Sequence, residues 1–137
     1  MTETSSSKDR TEPCRVLIVD DDKRIASRTS ALLERNGYQV SVAGSGRSAL
    51  RILNSNTCQI VMTDWRMPDM DGLDLCRKIR RRPGEDYTYV LLLREPGHGG
   101  TNLAARSAGA DDHAEKGAPA EEILARLDIG RQCLFDR

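Results

Sequence analysis

Three charged stations stand far apart in this sequence: Asp20-Asp21-Asp22, the lone Asp64, and Lys116. Arg94 lies between the last two. Acidic groups brought into one crevice repel one another and raise each other's pKa unless a cation joins them. Hard oxygen ligands in a partly hydrated site favour Mg²⁺. A carboxylate is also a nucleophile toward a phosphoryl group, and such transfer depends mainly on in-line positioning and on neutralising the equatorial oxygens. In this chemistry Asp64 is the nucleophile, Asp20 and Asp21 hold the metal, and Lys116 supplies the second cation. Any one of these positions alone reads equally well as a solvated loop charge. The joint pattern carries the reading.

The elements between the stations say how they meet. Residues 16–19 (VLIV), 60–63 (IVMT) and 89–93 (YVLLL) are short apolar runs, as expected for strands buried on both faces of a parallel sheet. Residues 38–43 alternate as a strand does. Asp112–Glu115 makes a poor fifth strand on composition. Between the strands, Ile25, Thr29, Leu32 and Leu33 recur at helical spacing and Asn36-Gly37 supplies a stop. Residues 46–54 read as a second helix. A third helix opens at Asp71-Gly72, with Asp71 as N-cap. Residues 102–108 form a weak, Ala-rich helix ended by Gly109. The last helix starts near Pro119, with Glu121 and Glu122 at its positive dipole end. Five β-α units predict an α/β fold: a parallel five-stranded sheet between two helical layers, joined by right-handed crossovers. In such folds function sits at the carboxyl ends of the strands. Asp20-Asp21-Asp22, Asp64, Arg94 and Lys116 occupy those ends.

The segments VLIVDDD, VMTDWRMPDMDG and AGADDHAEKG resemble those of two-component response regulator receiver domains. The resemblance covers residues 14–137, and the D-x-x-M-P-x-M-D-G run over 64–72 is its most diagnostic piece. It implies a flavodoxin-like (βα)5 three-layer sandwich with strand order 2-1-3-4-5. It implies that Asp64 is the phosphoacceptor, that Asp20 and Asp21 are metal-binding, and that Lys116 contacts the phosphoryl group. Arg66 matches the position whose backbone carbonyl completes the Mg²⁺ site. A histidine kinase or phosphotransfer protein is the implied donor. An output domain or effector protein is the implied recipient, and the face of the fourth helix, fifth strand and fifth helix is the implied switching and homodimer surface.

The sequence departs from the family at its switch positions. Ser or Thr usually ends the fourth strand; here the gap-free match is Arg94, with Thr88 too early and Thr101 in the next helix. Three readings of Arg94 stay open: pairing with Asp64 or Asp20, reaching a bound phosphoryl group as a fork donor, or pointing to solvent. His113 replaces the switch aromatic in the fifth strand and reads as a partly exposed residue. Lys-Pro becomes Lys116-Gly117. Without proline a cis bond costs roughly 2.5–4 kcal/mol, so a trans bond or a loop rebuilt around Gly117 is expected.

The remaining features narrow the field. Lys plus Arg total 21 and Asp plus Glu total 21 in 137 residues, so charge gives no whole-molecule pull toward nucleic acid or anionic membrane. No direct nucleic-acid contact is evident. Residues 1–13 read as a disordered polar tail without the apolar stretch of a signal peptide, and no apolar run approaches the roughly 20 residues of a membrane span. A cytoplasmic location is expected. Cys14, Cys58, Cys76 and Cys133 show no C-x-x-C spacing, which argues for free thiols. Gly44-Ser45-Gly46-Arg47-Ser48-Ala49 fits a dinucleotide fingerprint, but it follows the second strand and explains neither the acidic triplet nor Lys116. Ala120, Ile123, Leu127, Gly130 and Leu134 give the last helix a pattern that runs past a normal docking length, toward an output domain or a short dimer seam. Three functions follow: a phosphorylatable switch that assists its own phosphoryl transfer and is otherwise no enzyme, a degenerate receiver acting as a phosphorylation-independent interaction module, and a dinucleotide binder.

Overall fold

The computed structural model describes residues 13–84, 86–97 and 101–135. The expected tail lies outside the described residues, apart from the exposed Pro13. The chain alternates β1 (Arg15–Val19), α1 (Lys23–Arg35), β2 (Gln39–Ala43), α2 (Gly46–Ser55), β3 (Ile60–Asp64), α3 (Gly72–Arg81), β4 (Tyr89–Arg94), α4 (Asn102–Ala108), β5 (Asp112–Glu115) and α5 (Ala120–Phe135). The strands form one parallel sheet in the order β2-β1-β3-β4-β5. This is the flavodoxin-like arrangement that the resemblance implies.

The period-two alternation of the strands sorts the core into two layers. Val16, Ile18, Ile60, Met62 and Leu91 face one way and pack with Leu33 of α1 and Ile123 and Leu127 of α5. Leu17, Val19, Val61 and Val90 face the other and pack with α2 and α3 through Ala49, Leu53, Leu75 and Ile79. Both faces are covered, which is why these strands read as unbroken apolar runs. β5 reads poorly because it is the edge: Ala114 is buried while Asp112 and His113 are half-buried and Glu115 is exposed. Charged residues on an edge strand discourage pairing with another chain.

Local signals set the helix ends. Asp22, Ser45, Asp71 and Thr101 cap α1, α2, α3 and α4, each accepting from backbone N–H groups of the first turn. Thr101 is thus a cap rather than an interior helix residue. Gly109 ends α4 in the left-handed region at φ 99°. The apparent dinucleotide fingerprint has another use: Ser45 and Ser48 form a reciprocal capping box, and a Cβ on Gly46 would meet Met70 Sδ at 2.6 Å. Gly130 lies flat on Tyr89, where a Cβ would stand 2.7 Å from the ring. The α5 pattern therefore marks docking on the sheet as far as Leu134, which packs against the core, while Phe135 is exposed. Cys14, Cys58 and Cys76 are buried free thiols, and Cys133 is an exposed one. No described helix is long and apolar enough to cross a membrane.

Gly72 ties the fold to the end of β3. A Cβ there would sit 2.2 Å from the backbone carbonyl oxygen of Asp64, and the Gly72 N–H donates to Trp65 O at 2.8 Å. Backbone cannot swing aside as a side chain can. Gly72→Ala is therefore expected to push α3 off the sheet and lower unfolding stability by about 2–3 kcal/mol, despite alanine's better helix propensity. Urea denaturation monitored by circular dichroism measures this; an unchanged or raised midpoint would refute the close approach.

Candidate functional site

The parallel register delivers the charged stations to one end of the sheet. Asp20 follows β1, Asp64 ends β3, and Lys116 follows β5. Lys116 Nζ donates to Asp64 Oδ2 at 2.7 Å and lies 3.4 Å from both Asp20 Oδ1 and Asp20 Oδ2. Asp64 and Asp20 are only 4% and 5% exposed. Two buried carboxylates thus share one ammonium across three strands.

The acidic triplet divides its work. Asp20 points into the crevice and also accepts from Asp22 N at 2.9 Å, which fixes the chain direction after β1. Asp21 is exposed at the rim. Asp22 caps α1 through hydrogen bonds from Arg24 N and Ile25 N. That third role was legible, because Asp immediately before a helical period is a preferred N-cap.

Burial pushes the Asp64 carboxyl up to about 7; the Lys116 hydrogen bond and charge oppose this, and the Asp20 charge reinforces it. For Lys116, burial works against the ammonium, but the hydrogen bond and charge of Asp64, joined by Asp20, outweigh it and raise its pKa. Asp64 Oδ1 is buried without a hydrogen-bond partner, an arrangement that costs free energy unless something else engages the atom. Carboxylate oxygens of Asp20, Asp21 and Asp64 lie within 4.8 Å of one another. An all-oxygen set of this spread, holding a surplus of negative charge and an orphaned oxygen, fits a hard divalent cation of Mg²⁺ type. Arg66, two residues past Asp64, has an exposed side chain in the loop to α3.

Arg94 ends β4 with its guanidinium 3.8 Å from Glu115 across the β4–β5 pairing, a partner that none of its three open readings named. His113 is half-buried on β5, as expected of a partly exposed residue. No peptide bond among the described residues is cis, and Gly117 sits at φ 88°. Proline is locked near −65°, so the loop after Lys116 is built for glycine. Glu95, which sequence reasoning passed over, brings Oε2 to 3.9 Å from Lys116 Nζ; nothing in its spacing marked it. A groove of about 610 Å³ runs from Asp64 and Lys116 between α1 and α5, over Ile18, Met62 and Ala118.

The response regulator receiver domain profile matches residues 16–128. The chain is 38% identical over 115 residues to the response regulator MprA of Mycolicibacterium vanbaalenii, covering 84% of this chain and 49% of that protein. MprA of Mycobacterium ulcerans is 36% identical over 113 residues, covering 82% and 48%. The chain spans about half the length of the curated relatives it matches. Among solved structures, the receiver domain of the Francisella response regulator 1452 superposes with a TM-score of 0.78 at 30% identity, covering 88% of this chain and 98% of that one. The chemotaxis protein CheY4 of Vibrio cholerae gives a TM-score of 0.80 at 26% identity, covering 86% and 98%.

The raised Asp64 pKa has a stability consequence. Between the ordinary carboxylate value and about 7, the folded state keeps a proton that the unfolded chain has lost, so this group's contribution to stability falls as pH rises through that window. Asp64→Asn removes the ionisation. Its stability relative to the parent is expected to improve by roughly 1–3 kcal/mol between about pH 5 and pH 8 in chelator-treated protein, at up to about 1.4 kcal/mol per unit. Denaturation curves at both pH values test this; a pH-independent difference would show that Asp64 is already ionised at the lower one.

Proposed function

The chain belongs to the response regulator receiver domain family, and from that membership we propose that Asp64 accepts a phosphoryl group from a histidine kinase or phosphotransfer protein. The observation that carries the proposal is the split state of the Asp64 carboxylate: Oδ2 is held by Lys116 at 2.7 Å while Oδ1 is buried and unpartnered. One oxygen is fixed and the other is left to react.

Each residue then has a task. One carboxylate oxygen of Asp64 forms the new bond to phosphorus, the bond to the donor's histidine nitrogen breaks, and the electron pair leaves with the imidazole. Lys116 orients the acceptor and, already protonated, meets the negative charge of the arriving phosphoryl oxygens. Asp20, Asp21, Asp64 and the backbone carbonyl of Arg66 would hold Mg²⁺, which when bound neutralises part of the charge on the phosphoryl oxygens. The chain is on this reading a cytoplasmic signalling element that assists modification of its own side chain, not an enzyme with a separate substrate.

The groove between α1 and α5 opens onto Asp64 and offers a docking place for the phosphodonor. Leu103 on α4 and Ile129 on α5 are 71% and 51% exposed, which supports a partner at the α4-β5-α5 face: an output domain, an effector protein or a second copy. The read-out differs from the family habit. Arg94 carries no hydroxyl and is engaged with Glu115, and Gly117 replaces the proline of the neighbouring loop.

Incubation with a small phosphodonor and Mg²⁺ is expected to add a single phosphoryl group by intact mass, lost in Asp64→Asn. The one tryptophan, Trp65, is buried beside Asp64 and is expected to report the addition by fluorescence. A folded parent that takes up no phosphoryl group and binds no Mg²⁺ would replace this reading with a phosphorylation-independent interaction module. Because the metal requires ionised Asp64, its apparent Mg²⁺ affinity is expected to fall by up to about tenfold per unit as pH drops below about 7. Calorimetric titration at several pH values measures this, and a flat profile would remove Asp64 from the ligand set.

A further inference from the structure

We propose that Glu95 is an anionic gate on the phosphoacceptor site, a specificity-determining residue that disfavours small, highly charged phosphodonors; this rests on Asp64 being the acceptor. Lys116 has three N–H donors. Asp64 and Asp20 lie 2.7 and 3.4 Å from Nζ, and Glu95 Oε2 stands on the same ammonium at 3.9 Å. The inner carboxylates are buried, whereas the Glu95 side chain is 50% exposed. Glu95 therefore meets solvent on one side and the cation of the site on the other.

Arg94, the preceding residue, has its guanidinium 3.8 Å from Glu115. The rim of the site thus carries two contacts between opposite charges, Arg94 with Glu115 and Glu95 with Lys116. A phosphodonor that approaches Asp64 must bring its phosphoryl oxygens toward Lys116, where it meets Glu95 as a competing anion. Asp64 and Glu95 both contact Lys116, well inside a Debye length of about 8 Å at physiological salt, so bulk ions screen the repulsion only partly. The penalty grows with donor charge. A docked protein donor binds through additional surface and offsets it; a free acyl phosphate has nothing else to bind with.

The test compares the parent, Glu95→Gln and Glu95→Asp, each with Mg²⁺ and either acetyl phosphate or the less negative phosphoramidate, reading phosphorylation rate by intact mass. Glu95→Gln keeps shape and removes charge. It is expected to accelerate acetyl phosphate by about three- to tenfold, the effect of one unit charge at this range in a half-solvated site. The gain for phosphoramidate is smaller, and both gains shrink as ionic strength rises. Glu95→Asp stays near the parent. Equal acceleration with both donors, no dependence on salt, or no acceleration overturns the gate while leaving Asp64 as acceptor. Modification of Glu95→Gln where the parent takes none supports a gate that closes fully. If neither protein is modified by either donor, the acceptor assignment falls, and the gate with it.

Discussion

Two buried carboxylates compete for one half-buried ammonium, and the rest of the site answers to that shortage. Lys116 holds Asp64 at 2.7 Å and Asp20 at 3.4 Å, which leaves an uncompensated negative charge in a desolvated crevice. Removing charges from water is costly, and a lone partner of opposite sign repays it only in part. The residual strain shows in the Asp64 carboxyl, driven up to about 7 by burial and by its neighbour Asp20, and in Oδ1, which has no hydrogen-bond partner. A site in this condition gains by accepting a hard cation beside Asp21.

The fold pays for this arrangement through rigidity around Asp64. β3 lies at the sheet centre between β1 and β4, and its end is clamped by two backbone hydrogen bonds and one short buried side chain. Trp65 N donates to Leu93 O, Gly72 N donates to Trp65 O, and the Thr63 hydroxyl donates to the Asp64 carbonyl. Gly72 permits α3 to begin directly against that carbonyl. At the opposite end of the sheet, Arg80 donates to Gly109 O, Thr88 O and Asp111 while Asp111 accepts from Val90 N. That network anchors the edge strand β5, and with it the position of Lys116.

The departures from the family concentrate where a modified Asp64 would be sensed. Arg94 and Glu115 join the ends of β4 and β5, Glu95 approaches Lys116 from the start of the following loop, and Gly117 takes a backbone conformation closed to proline. A hydroxyl that follows the phosphoryl group by hydrogen bonding is thus replaced by a rim of opposed charges.

Much of this molecule was readable from residue order alone. Apolar runs of strand length, helical spacing and local caps are properties of contiguous residues, so the five β-α units, the N-cap at Asp71 and the parallel sheet followed without coordinates. The meeting of Asp64, its acidic neighbours and Lys116 followed because a parallel α/β sheet sends every strand end to the same side. The contacts of Arg94, Glu95 and Gly130 did not follow. Arg94 meets Glu115 and Glu95 meets Lys116 only through the β4–β5 register, and Gly130 is required by a ring that sits forty-one residues earlier in the chain, at Tyr89. Sequence order determined which groups arrive at the crevice, since periodicity and capping are local. Tertiary packing alone decided which of them pair there, since burial, register and the reach of a side chain belong to the assembled fold.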